Sequence, residues 1–191
     1  MKVVAVSGSA RKRGNTAQLI EAVIVPLREA GIECQLVELA AKDVRGCTAC
    51  QKCFEAKDRQ CHGRSDFINE VLPRLWEADG IILGSPTYFG DLSTETKALV
   101  DRAGYVSMAN GGLLARKVGA GVVAVRRGGG IHVFDSLNHL FLISQMIVVG
   151  STYWNLGYGR EKGEVQGDAE AMRNMAHLGT NMAWVLGKLA E

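Results

Sequence analysis

The sequence predicts a doubly wound α/β domain built on a parallel sheet. Three observations point there. Short β-branched runs alternate with longer segments whose apolar residues recur at helical spacing. Most of the short runs are continuously apolar rather than alternating, as strands are when helices cover both faces of the sheet. Glycine, 23 residues of 191, falls mostly between the apolar runs, in connections where backbone must approach something closely. Residues 1–191 read as a single domain, without repeats, low-complexity tracts or an interdomain linker.

The elements follow in order. KVVAVSG, Lys2 to Gly8, is the first strand. Leu19, Ile20, Val23, Ile24 and Leu27 form one helical stripe, which Pro26 is expected to kink or shorten. IECQLVEL, Ile32 to Leu39, alternates as a second strand. Phe67, Ile68, Val71, Leu72, Leu75 and Trp76 give an amphipathic helix, and GIILGSP, ending at Pro86, a third strand. A helix over Lys97–Val106 precedes a fourth strand over Val118–Val125. A largely apolar helix over Ile131–Gln145 leads into a fifth strand, MIVVGS. The last helix runs from about Asp168 to Leu189, with Met172, Met175, Gly179, Met182 and Leu186 on its buried stripe. Two long connections remain, a cysteine-rich loop at 40–64 and a second at 151–167, and loops of that length in a compact domain are usually functional.

Composition narrows the partners. Apolar residues make up 47% and charged residues 22%, ordinary for a globular protein. A formal charge of +2 lacks the basic stripe of a nucleic-acid binder. No run of about 18 apolar residues exists to span a membrane. The four apolar residues before Ser7 are too few for a signal-peptide core. The expectation is a cytoplasmic protein, in a compartment where stable disulfides are rare.

In open α/β sheets, ligands bind beyond the carboxyl ends of the strands. Three predicted loops lie there. SGSARKRGNTAQL, after the first strand, offers Ser9, Asn15 and Thr16, with Asn15 or Thr16 able to cap the helix. A helix N-terminus attracts phosphate, and Arg11, Lys12 and Arg13 add positive charge. The loop matches neither the Walker A pattern nor G-x-G-x-x-G. GSPTYFGDLST, after the third strand, carries Tyr88 and Phe89, which can pack against a planar ring. VRRGGGIH, after the fourth, lets main-chain N–H groups approach a ligand, with Arg126 and Arg127 available to a negative group. The first two loops can also be read as surface turns, less readily than as ligand loops, and the third reads equally well as a plain glycine-rich connection. Together they describe one crevice with a phosphate end and a flat-ring end, for which FMN is the obvious candidate.

The cysteine loop reads GCTACQKCFEAKDRQC, with Cys47, Cys50, Cys53 and Cys61 spaced C-x2-C-x2-C-x7-C. Four thiolates ligate a [4Fe–4S] cluster and equally a structural zinc. Zinc knots more often separate two C-x2-C pairs by a dozen or more residues, so the overlapping first three favour the cluster. Zinc, unmetallated thiols and disulfides stay open. Cys34, on the second strand, reads as core packing. His62 reads as a solvent-facing loop residue, His132, His139 and His177 show no partner, and Asp101 with Arg102 reads as a surface pair. Tyr153, Trp154 and Tyr158 either cover a site or meet a neighbouring subunit.

Taken in order, GSARKRGNT, CTACQKC…C, ILGSPTYFGDLSTETKALVDR, RRGGG and IVVGSTYWNLGYG resemble the flavodoxin-like NADPH-dependent FMN reductase family, nearest its iron–sulfur flavoprotein branch, over nearly the whole chain. The resemblance implies a flavodoxin-like five-stranded sheet of order 2-1-3-4-5. It implies that Ser9, Arg11, Asn15 and Thr16 hold the FMN phosphate. It assigns the isoalloxazine to Pro86, Thr87, Tyr88, Phe89 and Gly90, with Arg127, Gly128 and Gly129 nearby. It implies a [4Fe–4S] cluster on the cysteine motif, a homodimer or homotetramer, and NAD(P)H, ferredoxin or quinone as donor or acceptor. The expected activity is electron transfer between a reduced donor and an acceptor through FMN and the cluster. Two alternatives stand beside it, a NAD(P)H-dependent FMN or quinone reductase without a cluster, and a non-enzymatic thiol redox sensor. No catalytic general base is expected, since the cofactors carry the chemistry.

Overall fold

A computed structural model describes residues 1–190. Strands β1 (Lys2–Ser7), β2 (Glu33–Glu38), β3 (Gly80–Pro86), β4 (Val118–Val125) and β5 (Ile147–Val148) lie parallel in the order β2-β1-β3-β4-β5. This is the expected 2-1-3-4-5 order. The β1–β3 neighbours reverse the direction of winding, which opens a crevice at their carboxyl ends.

Helices α1 (Asn15–Glu29) and α6 (Ala169–Ala190) cover one face, and α3 (Ile68–Glu77), α4 (Thr94–Ala109) and α5 (Gly130–Ile143) the other. Alternate residues of β1 show why. Val3 and Ala5 enter the α1/α6 core, while Val4 and Val6 enter the α3/α4/α5 core. Pro26 does not shorten α1, which continues to Glu29. Where α6 crosses it, a Cβ on Gly179 would stand 2.2 Å from the Val23 carbonyl oxygen and 2.5 Å from Pro26 Cγ. Only glycine lets the two backbones meet so closely.

The far edge of the sheet departs from expectation. β5 is two residues long and pairs only with Val118 and Gly119. A sixth strand, β6 (Leu156–Tyr158), comes from the second long loop and pairs with Val123–Val125. Two short segments thus share the edge of β4. Ile147 and Val148 are consequently half exposed, not covered on both faces as their apolar run suggested.

The cysteine loop carries one short helix, α2 (Lys52–Ala56), and is pinned at several points. The Arg45 and Phe67 amides donate to Asp66 Oδ2 and the Asp43 carbonyl, at 3.0 and 3.1 Å. The Trp76 indole donates to the Arg59 carbonyl, and the Arg59 amide to Asn110 Oδ1, both at 3.0 Å. Among the described residues no helix is long and apolar enough to cross a membrane.

Candidate functional site

At the carboxyl ends of β1, β3 and β4 a cleft of about 390 Å³ is lined by Ser9, Arg11, Asn15, Thr16, Pro86, Thr87, Tyr88, Ala124, Arg126, Gly159 and Arg160. That volume lies within the roughly 300–1,000 Å³ range of ligand sites. Two hydroxyls there, Thr16 Oγ1 and Thr87 Oγ1, are buried without a protein partner. Buried donors are rarely left unpaired, so these two hydroxyls are available to a group that enters the cleft. The first amides of α1 have no intrahelical acceptor and add a favourable field for an anion.

The cleft walls are stitched together. Ser93 caps α4, accepting from the Thr96 amide at 3.1 Å, and its hydroxyl donates to the Gly8 carbonyl at 2.6 Å. A Cβ on Gly8 would fall 1.8 Å from Thr96 Oγ1, so the β1–α1 loop presses directly onto α4. Tyr88 and Asp91 exchange backbone bonds at 3.0 and 3.1 Å around Phe89 and Gly90, whose φ values are +48° and +83°. Positive φ at both central positions is the signature of a type I′ turn. A Cβ on Gly129 would lie 3.2 Å from Gly90 Cα, so the triple-glycine loop abuts this turn.

Several expected residues occupy other roles. The N-cap of α1 is Gly14, with no side-chain cap, so neither Asn15 nor Thr16 serves there. Asn15 is a latch: Nδ2 donates to the Glu161 carbonyl at 3.0 Å and Oδ1 accepts from the Gly163 amide at 2.8 Å. Arg11 reaches the Arg160 carbonyl at 2.8 Å, reinforcing the same closure. Phe89 stands at the tip of its turn, fully exposed, and Gly90 sits beside Gly129. Arg126, rather than Arg127, lines the cleft, while Arg127 opens onto an adjoining shallower depression. Gly128 has open space at its Cβ position. Gly159 and Arg160 were not foreseen individually, although the length of the 151–167 loop was a signal. Glu164 fixes that loop by accepting from the Arg160 and Glu161 amides at 2.7 and 2.9 Å. These amide bonds, from Glu161 and then Arg160, hold its carboxyl below the usual glutamate value.

The four cysteines of the long loop line a second, tight cavity of about 20 Å³ against Arg102, Tyr105 and Val106 of α4. It shares no lining residue with the cleft. Cys53 is buried on α2, Cys61 half buried, and Cys47 and Cys50 exposed. Backbone N–H groups address the sulfurs, with Ala49 N donating to Cys47 Sγ at 3.3 Å. The Lys52 amide, then the Thr48 hydroxyl, pull the Cys50 thiol below its ordinary value, while burial pushes Cys53 up. Among the described residues, no group of three or more His, Cys, Asp or Glu side chains is arranged to hold a metal ion. His62 borders the cavity, but its Nε2 faces Asp58 at 2.9 Å. Cys34 is half buried on β2.

Two surface readings change. Asp101 pairs with Lys97 at 2.5 Å, whereas Arg102 is fully buried beneath the cysteines. His132 has a partner in Asp91, 3.5 Å away.

A family model for NADPH-dependent FMN reductase matches residues 1–161. An iron–sulfur flavoprotein of Methanocaldococcus jannaschii is 37% identical, with 97% of each chain covered. The structure of RosB with a bound riboflavin-phosphate intermediate superposes with a TM-score of 0.79 at 16% identity, covering 100% of this chain and 80% of that one. An archaeal flavodoxin superposes with a TM-score of 0.63 at 16% identity, covering 98% and 99%. At such identities the two structures speak for the fold.

Proposed function

The chain belongs to the NADPH-dependent FMN reductase family and is a flavin-dependent oxidoreductase, and from that premise we propose that it passes electrons through FMN and a [4Fe–4S] cluster held by Cys47, Cys50, Cys53 and Cys61. The observation that carries the reading is the gathering of all four cysteines around one cavity, with N–H donors turned toward their sulfurs. A four-iron cluster gives each thiolate its own iron and so does not need four sulfurs at one point. The cavity is small, and Cys47 and Cys50, on its exposed side, border solvent. The relatives named iron–sulfur flavoproteins point the same way.

When bound, FMN carries one or two electrons and the cluster one, so the pair can divide a two-electron donor's reducing power into single steps. The chain's own residues bind and orient. The α1 N-terminus with Thr16, Ser9 and Arg11 takes the phosphate, the Asn15 latch closes the 159–163 segment over it, and Pro86, Thr87 and Tyr88 border the ring. NAD(P)H, ferredoxin and quinone are the donor or acceptor classes that suit such a site.

Self-association belongs to the same reading. Phe89, Tyr153 and Trp154 stand exposed on loops, as do Leu142 and Ile143 at the end of α5. Exposed apolar surface of this kind marks interaction sites. In an oligomer the cysteine cavity of one copy would approach the flavin cleft of another. Replacing Cys53 with Ser tests the assignment: iron should be lost while FMN stays bound. Unchanged iron content in that variant would refute the ligand set.

A further inference from the structure

Arg102 lies on the apolar stripe of α4 with Ala98, Leu99, Ala103 and Val106, all buried. Its spacing calls for a leucine, yet the side chain is an arginine with no exposed surface. A buried guanidinium is costly unless every donor is matched. Here each of its three nitrogens has a partner. Nη1 donates to both oxygens of Asp66 at 2.6 and 2.7 Å and to the Arg45 carbonyl at 3.2 Å, and Nη2 donates to Asn69 Oδ1 at 2.5 Å. Nε points at Cys61 Sγ, 3.2 Å away. Asn69 completes the hold by donating Nδ2 to the Cys61 carbonyl at 2.8 Å. Asp66 is fixed in turn by the Arg45 and Ile68 amides, both at 3.0 Å.

We propose that Arg102 is a positioning residue that presents the Cys61 sulfur as the last cluster ligand and tunes the cluster through the Nε–H···Sγ bond. The inference rests on the cluster reading above. Its physical basis is the seven-residue arm between Cys53 and Cys61, the longest spacer of the motif. A longer arm costs more entropy to order. A buried guanidinium on α4, held by Asp66, Asn69 and the Arg45 carbonyl, supplies that order before any iron arrives. Hydrogen bonds to ligand sulfur also withdraw negative charge and favour the reduced cluster, which raises its potential.

Two variants test it on the full-length FMN-loaded protein purified without oxygen. Arg102→Lys keeps the charge against Asp66 but has no donor at the Nε position. Arg102→Met with Asp66→Asn removes both charges together, so it leaves no unpaired charge and serves if the lysine variant fails to retain FMN. Each should keep FMN, show a more negative cluster midpoint potential in an EPR-monitored redox titration, and shift the Fe–S(Cys) stretching bands. Reduced iron retention on gel filtration is expected in both. Unchanged potential, vibrational bands and iron retention in a variant that retains FMN would overturn the role of Arg102. Absence of iron and sulfide from the unsubstituted protein would instead refute the cluster reading, and this proposal with it.

Discussion

Thr16 offers the sharpest test of the flavin site, because one substitution should act with opposite signs on two measurements. Its Oγ1 is buried, borders the cleft and has no protein partner, while the residue as a whole is 1% exposed. Thr16→Val keeps the shape and removes the hydroxyl. Without ligand, the hydroxyl is a desolvated group with nothing bonded to it, so its loss should leave thermal stability unchanged or raised. With FMN, the same loss deletes a hydrogen bond to a charged phosphate, worth about 1.5–3 kcal/mol. Each 1.4 kcal/mol is tenfold, so the FMN Kd should rise roughly 10- to 150-fold. Riboflavin has no phosphate, and its Kd should hardly move. Fluorescence titration of both flavins against parent and variant, with a melt of each ligand-free protein, reads all three quantities. Equal losses for FMN and riboflavin, or none for either, would refute the phosphate assignment.

Other outcomes follow from the same geometry. Glu164 has its carboxyl held below the ordinary 4.5 by the Glu161 and Arg160 amides, so the loop closure it supports is present above that pH and lost as pH falls through the lower folded value. FMN affinity measured across that acid range should therefore fall more steeply in the parent than in Glu164→Gln, and parallel curves would contradict it. Ile143→Lys, on the exposed end of α5, should leave the fold and FMN binding intact but weaken self-association, read by light scattering at micromolar concentration. A parent protein that is monomeric with FMN bound would overturn the oligomer reading.

The sheet was legible because β1, β3 and β4 are continuous apolar runs that only a two-sided parallel sheet accommodates. β6 was not, since Leu156, Gly157 and Tyr158 sit among polar and glycine residues and pair only because β5 stops after two residues. The position of Thr16 on the cleft was readable from its place after the first strand. Asn15 was read as a cap or phosphate ligand, because its real partners, Glu161 and Gly163, lie about 150 residues away and leave no local trace. Arg127 was preferred to Arg126 through the resemblance, whereas Arg126 lines the cleft, because the turn at the end of the strand decides which one faces it. Arg102 was misjudged for a different reason. One charge on a helical stripe beside Asp101 looks like a surface pair, and nothing in spacing alone shows that Asp66, Asn69 and Cys61 converge on it.

In the proposed function, electrons pass through a cluster as well as a flavin. Iron, acid-labile sulfide and FMN assayed on one oxygen-free preparation test it most directly. About four iron atoms, a matching amount of sulfide and one FMN per chain are expected. FMN at full occupancy with neither iron nor sulfide would contradict it, and would leave a flavin reductase whose four cysteines remain thiols.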